Sequence, residues 1–261
     1  MTLNYFVERY GWNALNSISK YPSILTYHAL AGKGALAEQL SEGLRFEQPV
    51  VVTEKIDGTN SRIVFFNNDY LIGSREELLY AKGDRIGNLA MNIAETLKPL
   101  AEKVAPLLPK DEFYVLYGET YGGVVTAASK QYTSDKTYAF RFFDLIKMPL
   151  SAVEDVLGQG ASQISSWRDQ GGQEFVDNEA LNAFAKLHAI PTVPYLLQMD
   201  GSELPTTLKE TFEWLGQFKN TQAGINHTGT AEGVIVRDNA RKLIRKIRFE
   251  DYERTKKRGG F

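Results

Sequence analysis

A chain of 261 residues with 43% hydrophobic and 24% charged side chains has the balance of a globular protein and enough length to bury a sizeable core, as one large domain rather than two equal halves. It has no cysteine, which excludes disulfides, thiolate zinc sites and cysteine nucleophiles, and its three histidines, His28, His188 and His227, share no metal-ligand spacing. The net charge of −2 excludes a uniformly basic nucleic-acid binder and shifts attention to where the charges lie.

In chain order, residues 1–20 mix apolar and polar positions as a short helix would, ending near Tyr21-Pro22. Leu36 to Leu44 reads as another short helix closed by Gly43. The period then changes. Val50-Val51-Val52, Arg62-Ile63-Val64-Phe65-Phe66 and Tyr70-Leu71-Ile72 read as antiparallel strands, the last two joined by a turn at Asn67-Asn68-Asp69. Leu89, Ile93, Leu97, Leu100 and Val104 recur at helical intervals, with Asp84 or Asn88 to open the helix and Pro106 and Pro109 to close it. Phe113–Tyr117 and Tyr138–Phe143 are strand-like, helical patterns return at 152–157, 178–187 and 208–218, and Gly158–Gly172 reads as an exposed loop or a short helix with loose ends. Strands resume at 233–236 and 243–247, with a helix from Phe249 onward. Strands that cluster rather than alternate with helices predict an α+β fold with antiparallel sheets. The N-terminus lacks a basic region followed by an apolar run, and no apolar stretch is of membrane-spanning length, so no membrane association and, by default, a cytoplasmic location are expected.

The chemistry centres on Lys55 in Glu54-Lys55-Ile56-Asp57-Gly58-Thr59-Asn60, where a tight turn after a strand would project a lysine from a sheet edge. A bare Lys-x-Asp-Gly is common as an ordinary hairpin. Five later segments alter its meaning: Gly73-Ser74-Arg75, Tyr117-Gly118-Glu119, Phe142-Phe143-Asp144, Glu232-Gly233-Val234-Ile235-Val236 and Lys246-Ile247-Arg248. Together they resemble the ordered motif set of the covalent nucleotidyltransferase superfamily, which holds DNA ligases, RNA ligases and mRNA capping enzymes. In detail the chain is similar to the RNA ligase 2-like family: Asn60 and Arg75 stand five and twenty residues after the lysine, Glu119 sits in a Tyr-Gly-Glu setting, and Lys20-Tyr21-Pro22-Ser23-Ile24 resembles the N-terminal element. Two positions depart from the pattern. Arg248 stands where lysine is usual, and Asp57 is the superfamily residue where some RNA ligase 2-like members carry histidine.

The resemblance implies a nucleotidyltransferase domain of two antiparallel sheets flanked by helices and an ATP-dependent ligase joining 3′-hydroxyl and 5′-phosphate RNA ends through a lysyl-AMP. It makes Lys55 the nucleophile, Phe143 the platform for adenine, Arg75 and Glu119 the grip on the ribose hydroxyls, and Asn60 a guide for a ribose or phosphate oxygen. Glu54 would lie near the adenine edge, and Asp144 would support the nucleophile pocket. A lysine attacks phosphorus only as the neutral amine, and lowering its reference pKa of about 10.4 to near 7.5 requires about 4 kcal/mol. Lys246 and Arg248, alternating on one strand, share a face and would supply positive charge there and at the α-phosphate. Glu232 is the carboxylate expected to hold Mg2+ or Mn2+.

From Arg241 to Arg258 the basic residues Arg241, Lys242, Arg245, Lys246, Arg248, Arg254, Lys256, Lys257 and Arg258 face only Glu250, Asp251 and Glu253, so segment 241–258 is a candidate for tracking phosphates. The chain ends soon after the last motif, so a single domain over 1–261 without a separate C-terminal domain is expected, with a protein partner supplying nick recognition. The alternatives are a minimal ATP-dependent DNA ligase, a GTP-using capping enzyme, or a nucleotide- or nucleic-acid-binding module without catalysis.

Overall fold

A computed structural model describes residues 3–261. The chain opens with helix α1 (Leu3–Ile18), which kinks at Gly11, where φ is 78° and the helical ladder is interrupted. A short hairpin follows, β1 (His28–Leu30) and β2 (Leu36–Leu40), and here expectation and structure differ. Leu36–Leu44 is not a helix: Leu36 N donates to Thr255 Oγ1, and Glu42 (φ 57°) and Gly43 (φ 66°) adopt left-handed conformations that no helix continues through. Pairing with β1 and anchorage to the C-terminal helix override local propensity.

Next come β3 (Pro49–Lys55), β4 (Thr59–Phe66), β5 (Asp69–Ser74), β6 (Leu78–Ala81) and β7 (Asp84–Arg85). Asn67 and Asn68 both have positive φ, as a two-residue hairpin turn between twisted strands requires. Helix α2 (Ile93–Val104) starts later than its apolar spacing suggests: Asp84 belongs to β7, and a 3-10 turn at Ala90–Asn92 precedes the helix. The long strands β8 (Glu112–Gly122) and β9 (Tyr138–Pro149) lead into α3 (Leu150–Leu157), α4 (Ala161–Asp169) and α5 (Asn178–His188). Segment 158–172, expected as a loop or a short helix, thus contains α4, whose Ile164 is fully buried against α1. The chain ends through β10 (Tyr195–Asp200), α6 (Leu208–Leu215), β11 (Gly233–Asp238), β12 (Ile244–Arg248) and α7 (Phe249–Lys257).

Beyond the β1–β2 pair the strands form a four-stranded sheet, ordered β10-β3-β11-β12, and a six-stranded sheet, ordered β7-β6-β5-β4-β8-β9. The pairings within both sheets are antiparallel, as the α+β reading expects. In the β8–β9 ladder Tyr117 pairs with Asp144 but Gly118 pairs with Phe142, so Phe143 is the extra residue of a bulge. That bulge shifts the alternation of β9: Phe140 and Phe142 join the core under α2 and α5, whereas Ile146 and Met148 join the core under α1, α3 and α4. Among the described residues no helix is long and apolar enough to cross a membrane.

Candidate active site

Register fixes the floor of the site. Lys55 on β3 lies opposite Gly233 on β11, which lies opposite Arg248 on β12. The next row of the same face is Thr53, Ile235 and Lys246, with Tyr195 of β10 beside Thr53. The third row is Val51, Arg237 and Ile244. Apart from Gly233, the residues of these three rows line a cavity of about 400 Å3 between the two sheets, closed from the other side by Asn60, Glu119, Phe142 and Phe143. The alternate residues Val50, Val52, Val234, Val236 and Ile247 point into the core on the opposite face, which is why every second side chain is free to face the cavity.

The turn after Lys55 reaches the six-stranded sheet only because residue 58 is glycine. A Cβ there would lie 2.4 Å from the Thr120 carbonyl oxygen and 2.8 Å from Tyr121 Cβ. Tyr132 Oη, fully buried, accepts from Asp57 N at 2.8 Å and fixes the same turn from a third direction. Lys55 Nζ meets Glu232 Oε2 at 2.5 Å. Arg248 reaches the same carboxylate at 3.7 Å and holds Asp251 through two bonds of 2.8 Å each. That bidentate clasp is available to a guanidinium and not to an ammonium, and it accounts physically for arginine where lysine is usual. Burial, then the neighbouring Arg248 and Lys55, depress the Lys246 pKa below the usual lysine range. Glu119 is pushed up to about 8, first by burial and further by Glu232, against the opposing pull of Lys55.

Nine of the ten residues singled out from the sequence therefore line one cavity: Glu54, Lys55, Asn60, Arg75, Glu119, Phe143, Glu232, Lys246 and Arg248. Their situations differ. Glu54 directs its carboxylate to Thr221 Oγ1 and Gln222 N, and burial raises its pKa. Arg75 is exposed at the rim, near Ser23 Oγ at 3.4 Å. Asn60 Oδ1 is buried without a hydrogen-bond partner among the described residues. Asp144 is not on the lining. It is fully buried behind Phe143, accepting from Tyr21 Oη at 2.8 Å and Arg241 Nε at 2.7 Å, with Arg237 Nη1 at 3.4 Å. It joins the N-terminal element, the six-stranded sheet and the β11–β12 turn at one point.

Sequence reasoning passed over three contributors and placed a fourth, Arg241, in the phosphate-tracking segment. Arg62 is fully buried; it donates to the Ser74 carbonyl and, at 3.3 Å, to that of Arg75, shaping the loop that carries Arg75, and burial lowers its pKa to about 10. A lone arginine inside an apolar strand was the available signal. Arg237 shares a face with Ile235 by simple alternation, whereas Tyr132 carries no local signal. The basic segment also changes meaning: Arg241 is held by Asp144, Arg245 by Glu42, Arg248 by Asp251 and Arg254 by Glu250. Lys242, Lys256, Lys257 and Arg258 are left exposed.

The family model for RNA ligase matches residues 48–256. The chain belongs to the RNA ligase family. Among solved structures it is similar to a Naegleria gruberi RNA ligase variant in its apo form, at 12% identity and a TM-score of 0.56, over 92% of this chain and 62% of that one. It is similar also to that ligase with pyrophosphate (13% identity, TM-score 0.54, 91% of this chain and 64% of that). A variant with ATP and Mn gives 15% identity and a TM-score of 0.54, over 90% and 63%. These likenesses show a shared fold, and the chain spans less than two thirds of the length of those ligases. No curated protein sequence matches the chain.

Proposed function

We propose that the protein is an ATP-dependent RNA ligase working through a lysyl-AMP on Lys55. The observation that carries this reading is the row Lys55–Gly233–Arg248, with Lys246 one row on and Glu232 bonded to Lys55, at one end of a cavity of nucleotide size. A strong nucleophile, two fixed cations and a carboxylate thus converge where an α-phosphate would lie.

Lys55 Nζ attacks the α-phosphorus, an N–P bond forms, and the bond to the bridging oxygen breaks to release pyrophosphate. The attack needs the neutral amine, and Glu232 Oε2, at 2.5 Å, is placed to accept the departing proton. Lys246 and Arg248 stabilise the charge that builds on the phosphorus oxygens. Phe143 lies beside the base, and Glu119 and Arg75 flank the ribose. A 5′-phosphate oxygen then attacks the adenylate phosphorus, the N–P bond breaks to free Lys55, and attack by a 3′-hydroxyl on the activated 5′-phosphate expels AMP and seals the strand.

Magnesium and manganese at nucleotide sites use one or two carboxylates together with substrate phosphates and water. Glu232 matches that donor set; among the described residues there is no cluster of three carboxylate or histidine ligands that would form a ready cage. A divalent cation held by Glu232 would supply further positive charge at the α-phosphate. That the similar ligases include forms with ATP and Mn and with AMP and Mn supports the choice of metal.

Incubation with α-labelled ATP and magnesium is expected to give a covalent, acid-labile label absent from Lys55→Ala. An unlabelled wild type, or equal labelling of the variant, sinks the proposal. Sealing of matched RNA and DNA nicks then tests the substrate, and preference for DNA 3′ ends would overturn the RNA assignment. Nick binding through exposed cations such as Lys242, Lys256 and Lys257 is expected to be weak and to fall steeply with salt, a partner protein then supplying tight docking.

A further inference from the structure

On the ligase reading the phosphate end of the cavity is the Lys55 row, and the opposite end carries groups that this chemistry leaves unused. Arg237 lies four residues along β11 from Gly233, roughly 13 Å at strand spacing, in the third row with Val51 and Ile244. It lines the cavity and is 4% exposed. Its Nη1 makes only long contacts, 3.3 Å to the Phe143 carbonyl and 3.4 Å to Asp144 Oδ1, while Nε and Nη2 are buried without a partner among the described residues. Asn178, the first residue of α5, lines the same cavity, is 9% exposed, and leaves Nδ2 equally unpartnered. Its backbone N donates to Asn239 O at 3.0 Å, which ties α5 to the turn following Arg237.

Buried donors without partners at a cavity wall mark where ligand acceptors belong. With the α-phosphate against Lys55, the part of a nucleotide that extends toward the third row is the base. We propose that Arg237 and Asn178 read the purine on either side of its 6-position and make this cavity select adenine. An asparagine amide offers one donor and one acceptor side by side, which match N7 and the exocyclic amine of adenine and leave N1 free. Arg237 only donates, so the base atom beside it has to accept. The adenine N1 does so, whereas guanine places N1–H there. Ile235 and Phe143 supply apolar surface for the ring, and the two donors fix its orientation.

The test is equilibrium binding in a Lys55→Met background, where no covalent step interferes, with ATP, GTP and purine riboside triphosphate, which lacks the 6-amino group. The Lys55→Met parent is expected to bind ATP roughly tenfold more tightly than the purine analogue. Asn178→Ala should weaken ATP binding roughly tenfold and remove that discrimination. Arg237→Lys, which keeps a cation beside Asp144 but loses the planar fork, should narrow the preference for ATP over GTP. Asn178→Ser, with melting curves on each variant, guards against a folding artefact. Unchanged base preferences in these folded variants overturn the assignment of the base edge while leaving the ligase reading intact. An unlabelled wild type overturns the ligase reading and leaves the preferences measurable, and a parent that binds no ATP overturns both.

Discussion

The six-stranded sheet is buried on both faces over most of its extent, and only the end carrying Asn60, Glu119 and Phe143 opens to the cavity. Ile63, Phe65 and Leu116 pack with α2 and α5, and Val64, Phe66 and Val115 pack with α1, α3 and α4. The four-stranded sheet is buried on one face only: Val50, Val52, Val234 and Val236 pack with α6 and α7, while Lys55, Thr53, Ile235, Arg237, Lys246 and Arg248 face the cavity. Both are built from the same antiparallel pairing, yet one serves as scaffold and the other as a chemical surface. The difference follows from what covers them. A face packed under helices is largely apolar and carries a charge only where it is partnered, as at Arg62 and Asp144, whereas a face left open to a ligand can carry several.

The largest effect should come where the two sheets are joined. Asp144→Ala leaves Arg237 and Arg241 buried without their carboxylate, and breaking such a pair costs about 3–5 kcal/mol; a denaturant midpoint unchanged from wild type would show that the joint carries no load. Next comes a direct contrast between sheets. Leu116→Ala, in the scaffold, should lose about 2–5 kcal/mol of stability, with the labelling rate per folded molecule kept. Lys246→Ala, on the open face, should shift stability by about 1 kcal/mol or less. It should slow lysyl-AMP formation by roughly 100- to 1,000-fold. If both variants affect stability and rate alike, the division between scaffold and chemical face is wrong.

A smaller, pH-dependent difference is expected at Glu119, where the sheets face each other. Its pKa in the fold is about 8, raised above the ordinary carboxylate value by burial. A raised acid contributes stability that is complete below its unfolded pKa and is lost as pH rises through the folded one. Glu119→Gln does not titrate, so its melting temperature should gain on wild type as pH rises from about 5 to about 8 and level off above that. A difference independent of pH would remove Glu119 as the titrating group. The smallest effect belongs to the helix that presents Asn178. Asp177 caps α5 by accepting from Ala180 N at 2.8 Å, and Asp177→Ala should cost about 1 kcal/mol in thermal or denaturant unfolding.

How much was legible in advance depended on the distance over which the cause acts. Strands β4, β5, β8, β9, β11 and β12 and most helices follow from periodicity, because the pattern of burial is written along the chain. Leu36–Leu40 was misleading as a helix, since its decisive partners are His28–Leu30 and Thr255. The ordered segments around Lys55, Glu119, Glu232 and Lys246 were visible because the resemblance rests on residue types in a fixed order along the chain. Asp144 stood out for the same reason, but its place behind Phe143 depends on a one-residue bulge that no local pattern announces. The basic run from Arg241 to Arg258 looked like a phosphate track because its counter-charges Glu42 and Asp144 lie far away in the chain.

By itself, then, the sequence determined most of the strand and helix types, the α+β class and the chemical groups available, because propensity, periodicity and side-chain chemistry are local properties. The tertiary structure decided which groups meet. It set Lys55 on Glu232, brought Arg248 to Asp251 and Lys246 beside both, and enclosed Arg241 with Asp144. It also left Arg237 and Asn178 facing a cavity with donors to spare. Strand register and burial set these outcomes, and both depend on contacts between residues far apart in the chain.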